Sequence, residues 1–404
     1  MEFNKMMLAR SGAAALAITL ASSAAYADTI RFGAVVPASG PFAEWGRANT
    51  VALKMLEKEV NDAGGINGEK LEISIYDDGA KPGQAASMIR KLTDDDKVLA
   101  IAGPATSSAA EVAFPLANQL GIVAVSQNSS KPGLAASNRP WAFRNTVDEA
   151  KLANVTLPWF VETYGVKKVA IIYDAKDATA TAVGSSIFPK ALEANGIDVV
   201  DGASPITFNT GDLDVSAQVT KIRAMAPDAV ILSADYSQAI TVLREMRRQG
   251  VKLPVLGSTQ LISSAILAAD PEIPVVAPTT FFAGLDTPAV QDFTAKLTPL
   301  LRAQKNLPDT IEPSQFDANI YEIMSLFVEA AKSAKITGKP EDLASDREKI
   351  RDYMASEHDF SGLGGKISFG EDGDAVKSFF IVEAKDGAWT AKDTACSAEG
   401  ACSQ

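Results

Sequence analysis

Val98-Leu99-Ala100-Ile101-Ala102-Gly103-Pro104-Ala105-Thr106-Ser107-Ser108 is the stretch that decides the fold. Its unbroken apolar start reads as a strand buried on both faces. Gly-Pro then turns the chain. The hydroxyl-rich residues that follow open a helix, Ser107–Gln119, and a second apolar strand comes next at Ile122–Val125. An apolar strand, a helix and another apolar strand imply parallel pairing with helices laid over the sheet.

The same alternation extends in both directions. Upstream, Ile30–Val36 is a strand, and Glu44–Ala63 is a helix with Ala52, Leu53, Leu56 and Val60 on one face, stopped by Gly64-Gly65. Leu71–Tyr76 alternates like a half-buried strand, and Pro82 opens another helix. Downstream the pattern restarts with the buried strand Val169–Tyr173, a helix at Ile187–Asn195 and a strand at Ala229–Leu232. The helix Ser237–Gln249 turns Ala239, Leu243 and Met246 inward and stops at Gly250, before a short strand at Pro254–Leu256. Two such blocks predict two similar α/β lobes. The remainder holds two long helices, Val290–Gln304 and Gln315–Ala334, and a β-rich end at Lys366–Phe369 and Phe379–Ala384, with a hairpin turn at Asp386-Gly387 before Trp389. It is too irregular for a third α/β domain and is expected to return and complete both lobes.

Met1–Arg10 carries Lys5 and Arg10, Gly12–Ala25 is small and apolar, and Ala25-Tyr26-Ala27 precedes Asp28. A basic start, a short apolar run and an A-x-A site read as a signal peptide spanning 1–27, which sends the chain to the periplasm. The formal net charge is −12. That acidity argues against nucleic acid as a partner. Cys396 and Cys402 fall within the last nine residues, and a disulfide between them is expected in an oxidising compartment. His358, the single histidine, lies in the charged stretch Ser356-Glu357-His358-Asp359. Neither a metal site nor a catalytic triad is expected from this inventory. The phosphate-loop, dinucleotide and nucleophile-elbow motifs are missing as well, so no catalytic residue and no cofactor are assigned.

Three loops suit a ligand. Thr106 and Ser107 offer hydroxyls, backbone N–H groups and a helix N-terminus to a carboxylate, although the same pattern also serves plain helix capping. Ser126-Gln127-Asn128-Ser129-Ser130-Lys131-Pro132 follows the next strand, at the edge where open α/β sheets bind ligands. Trp45, in the turn after the first strand, either walls a ligand or packs under its loop.

These stretches resemble a known family. Ile30–Gly46, Asn61–Gly68, Tyr76–Ala85, Ile101–Ser108, Val125–Pro132, Val169–Asp174 and Leu243–Gly250 are together similar to the leucine/isoleucine/valine-binding family of ABC-importer receptors, the type I periplasmic binding proteins. The resemblance implies two Rossmann-like lobes joined by a three-crossover hinge, with the ligand between them. It implies lobes formed by 28–147 with 283–362 and by 148–282 with 363–404, meeting near Thr146–Asp148, Phe282–Leu285 and Ser361–Gly365. By position it makes Ser107 the carboxylate anchor, Asn128 a backbone contact, Ser130 a hydroxyl contact and Trp45 an aromatic wall. The second lobe departs from the amino-acid pattern. Ala178 stands where amino-acid binders carry Tyr, Thr259 where they carry the Glu that pairs with the ligand ammonium, and Asp235, followed by Tyr236, where they carry another Tyr. Asp235 then either supplies the missing charge or meets a ligand without an ammonium, such as an aromatic acid, with Trp45 and Tyr236 against its ring. The expected protein is a monomer that captures a small carboxylate-bearing ligand and delivers it to ABC-transporter permease subunits. Its expected ligand is a branched-chain or other apolar amino acid, with an aromatic acid as the alternative.

Overall fold

The computed structural model describes residues 29–396, apart from 201, 203–204, 268, 270–272, 357–358 and 386. The expected signal peptide, His358 and the Cys396–Cys402 pairing therefore lie outside the described residues. Among those described, no helix is long and apolar enough to cross a membrane.

The first half builds a parallel sheet from β1 (Ile30–Val36), β2 (Leu71–Asp77), β3 (Ala100–Ala102), β4 (Val123–Ser126) and β5 (Ala142–Arg144). Their order is β2-β1-β3-β4-β5. Alternation sorts the side chains to two faces. Ala34, Ala102, Val125 and Phe143 meet the helices Ala43–Asp62 and Gln315–Ser333. Val35, Ile101, Ala124 and Ala142 meet the helices Pro82–Arg90 and Ser107–Leu120.

The second sheet holds β6 (Lys168–Asp174), β7 (Asp198–Val199), β8 (Ile206–Phe208), β9 (Ala229–Ser233), β10 (Val255–Gly257) and β11 (Val275–Thr279), all parallel. The long helix Gln315–Ser333 belongs to the first core. A small antiparallel sheet of β12 (Phe360–Gly362), β13 (Gly365–Phe369) and β14 (Ala375–Lys377) lies beside it, with Phe360, Ile367 and Ala375 in the same core. The chain then joins the second sheet as β15 (Phe379–Lys385) and β16 (Ala388–Cys396), antiparallel to β11 and to each other.

Three crossings therefore join the halves: Arg144–Asp148, Thr279–Leu285, and the step from Lys377 to Phe379. The last lies beyond the expected Ser361–Gly365, and the boundary drawn at 362 falls inside the small sheet. The Ser361–Gly365 turn abuts the second crossing instead: a Cβ on Gly364 would lie 2.7 Å from the Thr280 carbonyl oxygen. Strand β11 escapes a sequence reading because Pro278 interrupts it, and proline cannot donate to a ladder.

The crossings are tied by buried charge. Arg144, fully buried, donates from Nε to Asp374 Oδ1 at 2.6 Å, from Nη2 to Asp374 Oδ2, and from Nη1 to the Ser129 carbonyl at 3.1 Å. Lys377 pairs with Glu322 at 2.7 Å, also buried.

Candidate functional site

In an open α/β sheet, ligands bind where strand order reverses, beyond the carboxyl ends of the strands. In the first sheet that point lies between β1 and β3, whose following loops carry Trp45 and Ser107. In the second it lies between β6 and β9, whose following loops lead to Thr179 and Tyr236. The two points face each other: Thr179 donates from Oγ1 to Ser107 Oγ at 2.7 Å.

Close backbone approach shapes the first loops. Gly103 has φ +118°, and a Cβ there would lie 2.3 Å from the Val35 carbonyl oxygen. A Cβ on Gly46 would lie 2.2 Å from the Pro37 carbonyl carbon. The helix bearing Trp45 is thus pressed onto the end of β1.

Each expected site residue has a definite place. Thr106 is a helix N-cap, its hydroxyl accepting from Ala109 N–H at 3.3 Å. Ser107 is buried, and its hydroxyl also accepts from the Lys131 N–H at 3.3 Å. Asn128 is half-buried with both amide atoms unpartnered. Ser129 is fully buried; its carbonyl accepts from Arg144 and from Thr146 Oγ1, while its hydroxyl has no partner. Trp45 stacks on Phe316 at 3.9 Å and tilts against Tyr236 at 5.3 Å, leaving its Nε1 unpartnered. It packs and walls the cleft at once, because Phe316 and Tyr236 come from opposite halves.

Asp235 is the N-cap of the helix Tyr236–Arg248: its Oδ1 accepts from Ser237 N–H at 2.8 Å, Gln238 N–H at 3.3 Å and Ser237 Oγ at 2.6 Å. Burial raises its pKa to about 6 despite the Ser237 hydrogen bonds. One oxygen is thus committed to the helix.

Ser130 and Thr259 meet on a residue that sequence reading passed over. Glu149 Oε1 accepts from Ser130 Oγ at 3.0 Å, from Thr259 N–H at 3.3 Å and from Thr259 Oγ1 at 2.5 Å. Burial drives its pKa up to about 7, against the lowering effect of those hydrogen bonds. In the sequence, Asp148-Glu149 looks like an ordinary acidic helix start. Nothing local marks it as held between the loops after β4 and β10. Gln260 was also missed: its Nε2 donates to Asp177 Oδ1 at 3.0 Å, and its Oε1 is buried without a partner. Thr179, next to Ala178, supplies the hydroxyl that crosses to Ser107.

A separate cavity of about 380 Å³ lies at the second crossing, lined among others by Phe281, Phe282, Thr294 and Trp389. It brings together none of the expected site residues.

Two sheets facing across a triple crossing, with helix N-termini and unpartnered polar atoms between them, define a two-lobed solute-binding protein. The chain belongs to the periplasmic binding protein family, whose model matches residues 29–388. It is 26% identical over 380 residues to an amino acid binding protein of Pseudomonas aeruginosa, covering 93% of this chain and 96% of that one. It also matches the branched-chain amino acid transporter substrate-binding protein LivJ of Streptococcus pneumoniae, solved with isoleucine: TM-score 0.78, 26% identity, 91% of this chain and 99% of that one. A solute-binding protein of an ABC transporter from R. palustris, solved with benzoate, shares the fold at TM-score 0.77 and 20% identity, over 92% of this chain and 96% of that one. All three are binding proteins, the two solved ones of transporters, and the chain is a binding protein rather than an enzyme.

Proposed function

We propose that the chain captures a small carboxylate-bearing ligand between its two halves in the periplasm and delivers it, enclosed, to the permease subunits of an ABC importer. A branched-chain or other apolar amino acid is the ligand class that the relatives' names favour. The carrying observation is the set of unpartnered polar atoms on the loops of the cleft: Trp45 Nε1, both Asn128 amide atoms, Ser129 Oγ and Gln260 Oε1. Buried polar groups are almost always paired, and leaving one unmet costs about 1–3 kcal/mol. A bound ligand answers several at once. The donors among them, with the Ser107 hydroxyl and its helix N-terminus, suit a carboxylate. The Trp45–Phe316–Tyr236 cluster supplies the apolar wall.

The same aromatic cluster favours a second reading, an aromatic acid stacked on Trp45. A thermal-shift screen of purified protein against amino acids, aromatic acids, keto acids and amides tests both. A ligand at 100 times its dissociation constant stabilises by about 2.7 kcal/mol. Stabilisation by apolar amino acids supports the first reading, and by benzoates alone the second. A response to none of these classes contradicts both.

A further inference from the structure

We propose that Glu149, reaching in from the first crossing, is the residue that receives a cationic amino group of the ligand and so makes the site select amino acids over simple carboxylic acids. The inference rests on the proposed capture of an amino acid in this cleft.

The geometry carries it. Ser130 stands in the loop after β4 and Thr259 in the loop after β10, so Glu149 joins both halves of the site. All three hydrogen bonds that Glu149 accepts among the described residues go to Oε1, and none goes to Oε2. One oxygen is thereby fixed in place while the other stays available. The side chain is buried, and no salt bridge among the described residues includes it. A carboxylate so enclosed is costly unless a cation meets it.

The charged groups around it do not supply that cation. Asp148, beside it, lies 3.6 Å from Arg144, whose main partner is Asp374. Lys131, next to Ser130, is paired with Glu111. Lys151 faces Asp372 at 4.0 Å on the outside. Asp177, which accepts from Gln260, adds negative charge. The surroundings of Glu149 therefore hold acids and spent bases, and a ligand ammonium is the complement. Burial that raises its pKa to about 7 in the ligand-free chain makes the step visible. An arriving ammonium favours the ionised form, so binding expels a proton below about pH 7.

The test compares L-leucine with 4-methylpentanoate, which is leucine without its amino group, on wild type, Glu149→Gln and Glu149→Asp. Isothermal calorimetry is run between about pH 5.5 and 8 in buffers of different ionisation enthalpy. Wild type should prefer leucine at least ~100-fold at pH 8 and bind it ~10–30-fold more weakly at pH 5.5, with proton release. Glu149→Gln should lose at least ~30-fold in leucine affinity, lose the pH dependence, and bind the two compounds within ~5-fold. Glu149→Asp keeps the charge and should retain the pH dependence, and circular dichroism checks the fold of each variant. Leucine affinity within twofold of wild type in Glu149→Gln, or a flat pH profile in wild type, overturns the assignment while leaving amino-acid capture standing. Tighter wild-type binding of 4-methylpentanoate, or binding of neither leucine, isoleucine nor phenylalanine, overturns both.

Discussion

Replacing Glu149 by glutamine should stabilise the ligand-free protein at pH 8 even as it damages the site. Burial raises the Glu149 pKa from an ordinary 4.5 to about 7. The folded chain therefore holds a proton there that the unfolded chain gives up between those two values. Stability falls as pH rises through that window, and the loss is complete above it. At 1.36 kcal/mol per unit of pKa, the penalty is about 3 kcal/mol. Glutamine has a similar shape and no charge. It can still accept from Ser130 through Oε1, so most of the penalty should disappear. Urea unfolding of protein freed of bound ligand by denaturation and refolding measures this. The variant should exceed wild type by about 2–3 kcal/mol at pH 8 and match it within about 0.5 kcal/mol at pH 4.5. A variant equal to or weaker than wild type at pH 8 would show that Glu149 is already compensated, and the reasoning from burial would fall.

Other outcomes follow from the same contacts. Ser107→Ala should weaken ligand binding by about 1.5–3 kcal/mol, read by calorimetry, and cost about 1 kcal/mol in urea unfolding because Thr179 Oγ1 and the Lys131 N–H lose their acceptor; unaltered affinity removes Ser107 from the site. Asp374→Ala strands the fully buried Arg144 and should cost about 3 kcal/mol in urea unfolding, slightly eased because Asp148 is 3.6 Å away; a loss under about 1 kcal/mol contradicts a buried pair at the crossings. Ligand should compact the molecule in small-angle scattering as the halves close about Arg144–Asp148, Thr279–Leu285 and Lys377–Phe379; superimposable curves at saturation argue against a closing clamp in solution.

The fold was legible because its central strands are short apolar runs followed by glycine and hydroxyl residues, a pattern with few other solutions. Gly103 to Ser107 announced a helix N-terminus after a buried strand, and the strand order of the structure puts it at a switch point. The third crossing was misplaced because Gly362–Gly365 looks like a break, whereas it is a hairpin turn held against Thr280. Asp235 drew attention because the resemblance puts a Tyr of the amino-acid binders at its position, but its local sequence, Asp235-Tyr236-Ser237, is also that of a helix cap, and the structure uses it so. Glu149 carried no signal at all. Its hydrogen-bond partners are Ser130 and Thr259, residues far apart in sequence, and Gln315, further on again, fixes the Thr259 carbonyl at 3.1 Å. Local pattern reports which residues sit at a strand end. It does not report which side chains from three separate loops will share one enclosed space.

A crystal structure of the chain grown with L-leucine tests the central claim most directly. Leucine is expected between the two sheets, its carboxylate on Ser107 and Ser129, its ammonium on Glu149 Oε2 and its side chain toward Trp45. Leucine seated instead in the cavity beside Phe282 and Trp389, with Ser129, Asn128 and Gln260 still unpartnered, would contradict it.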